Sequence, residues 1–309
     1  MPRVSLRSPI VAGHTALAAA QVAFGLFPIF GTVIFQPGGL SPFAVAAWRV
    51  TAGSVALGAL AALAYGRAAL PRRGDWGRFA LCALLGVVLN QALFLVGLSR
   101  STPLNAGLVM TLIPVFTFGL AALVGLERFN GARALGVALA LGGVAPLVFA
   151  EGVGTLGRHG AGNLLMVANA LSYSLYLILA KPLTAKYPAL VVIAWSYLPG
   201  MLAVPFFAWG ERPLPEPAFA AGWWSLAYIV VFPTVLAYLL NTFALARLRA
   251  STTAVYIYAQ PLVAAVASWL VFGERPSRAM LAAAAALFVG IWLVARRAPV
   301  APAAAPAAA

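Results

Sequence analysis

Apolar residues run along this chain in blocks of helical length, at residues 11–31, 43–65, 76–98, 103–125, 131–150, 161–180, 188–209, 222–245, 253–272 and 277–296, with Gly, Pro and charge gathered between them. A helix rising 1.5 Å per residue needs about 20 apolar residues to cross a hydrocarbon core of roughly 30 Å. A barrel strand would instead alternate polar and apolar over about ten residues. The pattern therefore predicts an all-α polytopic membrane protein with ten transmembrane helices. Helix-start signals fall where they should: Thr102 before Pro103, Asn130 before Gly131, Ser251, and Ser277 after Pro276. Of 309 residues, 63% are hydrophobic and 8% charged, against about a quarter charged in a soluble domain. A water-soluble globule is excluded, and ten spans leave no length for a large soluble domain. The closing stretch, 299–309, holds only Ala, Pro and one Val and reads as a disordered tail.

The formal net charge of +14 would suggest a nucleic-acid partner in a soluble protein, but its distribution points elsewhere. With the N-terminus inside, the cytoplasmic segments hold 14 Lys and Arg and the outer segments 5, with Arg49 inside the second span. That asymmetry predicts both termini in the cytoplasm of a multi-pass protein of the bacterial inner (plasma) membrane, with the lipid bilayer and no nucleic acid as partner. Trp209, Trp223 and Trp224 fall at outer span ends, where interfacial anchors sit. One cysteine, Cys82, and two histidines, His14 and His159, make no structural metal set. No embedded nucleophile or acid/base pair and no Gly-rich Lys-Ser/Thr phosphate loop is present, so neither a catalytic site, a metal, a cofactor nor an ATP-driven pump is expected.

Shifting the chain by 147 residues lays spans 4 and 9 over one another. Leu98, Arg100, Pro114, Leu123, Val124, Glu127 and Arg128 meet Leu245, Arg247, Pro261, Leu270, Val271, Glu274 and Arg275, and Trp48 meets Trp195. Two repeats of five spans follow, 1–152 and 153–298. Because five is odd, the second enters the membrane in the opposite sense, which gives the inverted-repeat architecture of secondary transporters. Pro114 and Pro261 each free a backbone carbonyl, and such matched interruptions mark either a hinge beside a binding region or a packing kink.

The span 4 ending Gly125-Leu126-Glu127-Arg128 with the Gly-rich helix from Gly136 to Gly143 behind it, the span 9 ending Phe272-Gly273-Glu274-Arg275, and Arg49 early in span 2 resemble the EamA family of the drug/metabolite transporter superfamily. The resemblance covers nearly the whole chain. It implies a secondary transporter that exports, or less often imports, small metabolites such as amino acids without ATP, through a cavity lined by spans of both halves. Val50, where an aromatic or bulky residue often follows the Arg, and Leu126, between the Gly and the Glu, depart from that pattern; the Glu-Arg pairs remain.

Polar side chains within spans should face the bundle interior or a wet cavity. The substrate-binding candidates are Gln21, Asn90, Asn105, Asn169, Tyr173, Tyr176, Tyr238, Asn241, Tyr256 and Gln260, with Pro114 and Pro261 as kinks. Asn169, Tyr173 and Tyr176 fall on one helix face by their spacing, as do Tyr256 with Gln260, and Tyr238 with Asn241. Interhelical hydrogen bonding is the plainer account of any one of them; together, aromatic walls and a few amides suit an amphipathic small-molecule substrate. Arg49 is expected to snorkel to the outer interface, the alternative being that it holds a substrate carboxylate or ties to a helix end. Glu127 and Glu274 are expected to pair with nearby Arg. The small-residue faces of spans 5 and 10 suit close packing, as scaffold or as a homodimer contact. Set against the carrier is an intramembrane enzyme or a non-transporting membrane scaffold.

Overall fold

The computed structural model describes residues 9–125, 131–148, 158–245, 247 and 256–295. Among the described residues the fold is an all-α bundle whose ten helices form two inverted five-helix repeats. The first repeat contains α1 (Pro9–Ile34), α2 (Pro42–Tyr65), α3 (residues 76–99), α4 (Pro103–Leu123) and α5 (Gly131–Val148). The second contains α6 (Gly160–Thr184), α7 (Ala189–Ala208), α8 (residues 220–245), α9 (Ala259–Phe272) and α10 (Arg278–Ala295). Among the described residues seven helices, α1–α4 and α6–α8, are long and apolar enough to cross a membrane; α5, α9 and α10 hold shorter apolar helices.

Local chemistry sets the helix starts. Thr102 Oγ1 accepts the Asn105 amide at 3.2 Å and Ser277 Oγ that of Met280 at 3.2 Å. Ser41, which the sequence pattern did not single out, does the same for Ala44 at 3.1 Å ahead of Pro42. Asn130 and Ser251 lie outside the described residues. Gly125 and Gly273 adopt φ of +75° and +68°, where a side chain is strained, at the ends of α4 and α9. Beyond Gly273, Glu274 accepts a hydrogen bond from the Ser268 hydroxyl rather than pairing with an arginine; Glu127 lies outside the described residues.

The repeat is also visible in its irregularities. Pro114 cannot donate to the Met110 carbonyl, and α4 breaks at Thr111 into Pro103–Met110 and Leu112–Leu123. Pro261 cannot donate to Ile257, and a turn at residues 257–258 precedes α9. Thr111 and Tyr258 are the same position under the 147-residue shift. Likewise α3 and α8 each carry one π-helical turn, Leu84–Val88 and Phe232–Leu236. The carbonyls these turns disturb are taken by hydroxyls: Ser172 Oγ donates to Leu85 O at 2.8 Å, and Thr234 Oγ1 to Ile229 O, which Pro233 cannot serve, at 2.7 Å.

Glycines let helices of the two repeats cross closely. A Cβ on Gly162 of α6 would lie 2.6 Å from Gly97 O and 2.7 Å from Arg100 O, and one on Gly107 of α4 would lie 2.9 Å from Ala264 Cβ of α9. Gly162→Val is therefore expected to cost about 1–3 kcal/mol through overpacking, read as a lowered thermal unfolding midpoint in detergent. Gly119→Ala, mid-helix and with nothing within 4 Å of the new Cβ, should hold or slightly raise that midpoint. The small faces of α5 and α10 meet one another inside the chain: a Cβ on Gly290 would lie 2.5 Å from Gly136 O, and one on Gly143 2.9 Å from Ala283 O. A second copy approaching these helices would meet their opposite, leucine-bearing surfaces, where Leu135, Leu141 and Leu281 are exposed.

Loops of the two repeats are tied together at both faces. On the face carrying residues 66–75 and 185–188, Asp75 pairs with Lys186 at 2.7 Å and accepts from the Tyr187 hydroxyl at 2.8 Å, while Trp195 Nε1 donates to Ala69 O at 2.6 Å. On the opposite face Trp48 Nε1 donates to Pro213 O at 2.6 Å and the Glu216 amide to Gly38 O at 2.7 Å. The two matched tryptophans thus each reach into the other repeat, at opposite ends of the bundle.

Candidate functional site

A cavity of about 220 Å³ lies between the two repeats, in the middle of the bundle. The first repeat contributes Gln21, Phe24, Phe27 and Pro28 from α1, Arg49 from α2, Asn90, Gln91 and Phe94 from α3, and Gly107, Met110 and Ile113 from α4. The second contributes Asn169, Tyr173 and Leu177 from α6, Tyr238 from α8, and Ile257 and Gln260 at the α9 break. Met110 and Ile257 are repeat equivalents, as are Ile113 and Gln260, and Gln91 and Tyr238. Both proline-induced interruptions therefore open onto the same space, one from each side of the pseudo-symmetry.

Amides and aromatic rings alternate around the wall. Gln260 Nε2 donates to Gln21 Oε1 at 2.6 Å, and Gln21 Nε2 reaches Asn241 Oδ1 at 3.5 Å, a long contact that links α9, α1 and α8. Asn169 Nδ2 donates to the Asn90 carbonyl at 2.7 Å. Phe27 stacks on Phe94 with centroids 5.0 Å apart, and Phe24 meets Tyr238 edge-on at 5.9 Å. The cavity's volume limits an occupant to metabolite size.

Of the candidates, the cavity brings together Gln21, Asn90, Asn169, Tyr173, Tyr238 and Gln260, with Asn241 at its edge. Asn105 lies elsewhere: its backbone is capped by Thr102, and its amide donates to Ser101 at 3.3 Å at the end of α4. Tyr176 turns toward α3, where a Cβ on Gly86 would lie 2.5 Å from its ring; the lining stripe of α6 runs Asn169, Tyr173, Leu177 instead. Tyr256 does not share a face with Gln260, because the turn before Pro261 intervenes, and its hydroxyl bonds His14 Nδ1 at 2.8 Å.

Arg49 does not snorkel. It is 4% exposed, and its guanidinium carbon stands 4.0 Å above the Phe27 ring centroid, inside the cavity wall. Gln91, beside Asn90 in the polar set of span 3, also lines the cavity, whereas Phe24, Phe27, Phe94, Met110, Ile113 and Ile257 were not among the candidates. The repeat shift, applied to Gln260, points to Ile113; Met110 and Ile257 are equivalent to one another, so neither is reached from a candidate. A larger groove of about 400 Å³ between α2 and α7 is walled by mostly apolar residues, from Gly58 and Ala62 to Leu198 and Trp195. Ser54, its hydroxyl there, is already bonded to the Tyr197 carbonyl at 3.0 Å.

The family model described as the EamA-like transporter family matches residues 11–149 and again 160–296. The chain belongs to the EamA-like transporter family. Among similar EamA-like proteins, one named "probable terminal-alkyne amino-acid exporter" from Streptantibioticus cattleyicolor is 30% identical over 253 residues, covering 81% of this chain and 82% of the relative. The "uncharacterized transporter YdfC" of Bacillus subtilis is 28% identical, over 77% of each chain. A solved crystal structure, 23% identical, superposes with a TM-score of 0.60 over 93% of this chain and 96% of its own; it shares the fold. This is a multi-pass membrane protein whose EamA-like relatives are transporters.

Proposed function

We propose that this protein is a secondary carrier that moves small organic metabolites such as amino acids by alternating access, without ATP, in the export direction. The observation that carries this reading is the cavity, which is walled by both inverted repeats and entered by both proline breaks. A solute held there contacts two bodies that can rock against each other, as an inverted-repeat carrier requires. The halves are 1–152 and 153–298, with 299–309 as a tail. The face bearing residues 66–75 and 185–188 is the cytoplasmic one, in the bacterial inner membrane, because the Lys and Arg excess lies there.

Purified protein reconstituted into sealed liposomes without nucleotide should take up labelled L-phenylalanine and other amino acids in a saturable way, and should exchange internal for external solute. Exchange absent for the whole panel, with folded protein present, contradicts the carrier and leaves a non-transporting membrane protein.

A further inference from the structure

Resting on that carrier reading, we infer that Arg49 receives the carboxylate of the transported solute, so that the substrate class is small organic monocarboxylates with an apolar or aromatic body. Arg49 is the one charged residue among the described cavity-lining residues. Its Nε and Nη1 are buried without a hydrogen bond of normal geometry; the Tyr197 hydroxyl beside it, also buried, is a neutral neighbour and brings no opposite charge. A guanidinium stays protonated at any physiological pH, so burial does not remove its charge, and a buried charge calls for an opposite one.

The chain supplies none that the structure describes. Asp75 is paired with Lys186, Glu216 with Arg212 at 2.6 Å, Glu274 bonds Ser268, and Glu211 lines a separate pocket with Trp48, Arg212 and Pro213. The ring of Phe27 covers one face of the guanidinium, an attraction that holds the group in place but offers no acceptor to its N–H groups. Water could satisfy those N–H groups without neutralising the charge; a carboxylate does both, through two oxygens. One cation matches one negative charge, which favours a monocarboxylate over a dicarboxylate or a phosphate dianion.

The local sequence builds this placement. Arg49 sits two turns into α2. Four residues later Gly53 leaves room for Tyr197, whose Cε1 would lie 2.4 Å from an added Cβ. The α7 tyrosine can therefore lie flat on α2 beside the guanidinium. Phe24, Tyr173 and Tyr238 then offer flat surfaces to the solute's body.

The test uses the wild-type chain first. Binding to purified protein is measured by competition with labelled L-phenylalanine, using 3-phenylpropionate, phenethylamine and L-phenylalaninamide as competitors. The acid should compete, and the amine and amide, which lack the carboxylate, should compete at least about tenfold more weakly, the loss of one charge-assisted hydrogen bond. Arg49→Gln, eluting as a monodisperse species, should weaken both carboxylates by a similar factor and abolish the preference over the amide, while Arg49→Lys keeps part of it. Equal competition by amine, amide and acid overturns the assignment, as does an Arg49→Gln variant that retains the preference. Carboxylate-selective binding without solute movement upholds the assignment and contradicts the carrier. Movement indifferent to the carboxylate does the reverse.

Discussion

Cysteines replacing Asp75 and Lys186, joined by a short bifunctional thiol reagent, are expected to lower the initial rate of solute exchange by at least about tenfold, relative to the same variant before reaction. The side chains of these two residues meet at 2.7 Å and belong to loops of different repeats. If the repeats rock apart at this face in each cycle, a covalent strap holds the cycle at one end. The replacement removes the ion pair and the Tyr187 bond to Asp75, so the unreacted double variant is the reference state. Cys82 is fully buried and does not compete for the reagent. The corresponding strap at the other face, Trp48→Cys with Pro213→Cys, should act alike, because the indole of Trp48 crosses to Pro213 as that of Trp195 crosses to Ala69. Both ties are formed at once in this structure, so on the proposed carrier reading at least one breaks in each cycle. Full exchange with both straps in place would mean that the repeats do not separate at either face.

Much of the architecture is written in the sequence because membrane insertion leaves few choices. The apolar blocks mark the ten helices, although among the described residues only seven are long enough by themselves to cross, and the 147-residue shift supplies the pairing through Trp48, Pro114 and Glu127. The prolines carry more than a kink: their missing donors put breaks at matched positions, and Met110 and Ile257, just before them, line one cavity. What periodicity does not contain is the rotation of each helix about its axis and its tilt against neighbours. Asn169, Tyr173 and Tyr176 share a face of an isolated helix. In the bundle α6 crosses α3 where Gly86 leaves a space, and the Tyr176 ring fills it while Leu177 takes the cavity side. The π-helical turns of α3 and α8 add a further rotation that a regular helical period cannot foresee.

Arg49 is illegible for a related reason. Its depth in α2 is compatible with reaching the interface; only the ring of Phe27, brought in by α1, shows that it turns inward. The glycines of α5 and α10 likewise announce close packing without naming the partner, which proves to be the other helix of the pair in the same chain.

Access to the cavity from the two faces tests the carrier most directly. Ile113 lines the cavity opposite its repeat equivalent Gln260, and a cysteine there replaces an apolar wall residue without touching Arg49 or the amide chain. In sealed vesicles of each orientation, a membrane-impermeant thiol reagent applied outside should label Ile113→Cys in both preparations. Added L-phenylalanine should slow that labelling. Labelling confined to one orientation, whether or not solute is present, would show a pocket open to a single face and would contradict alternating access.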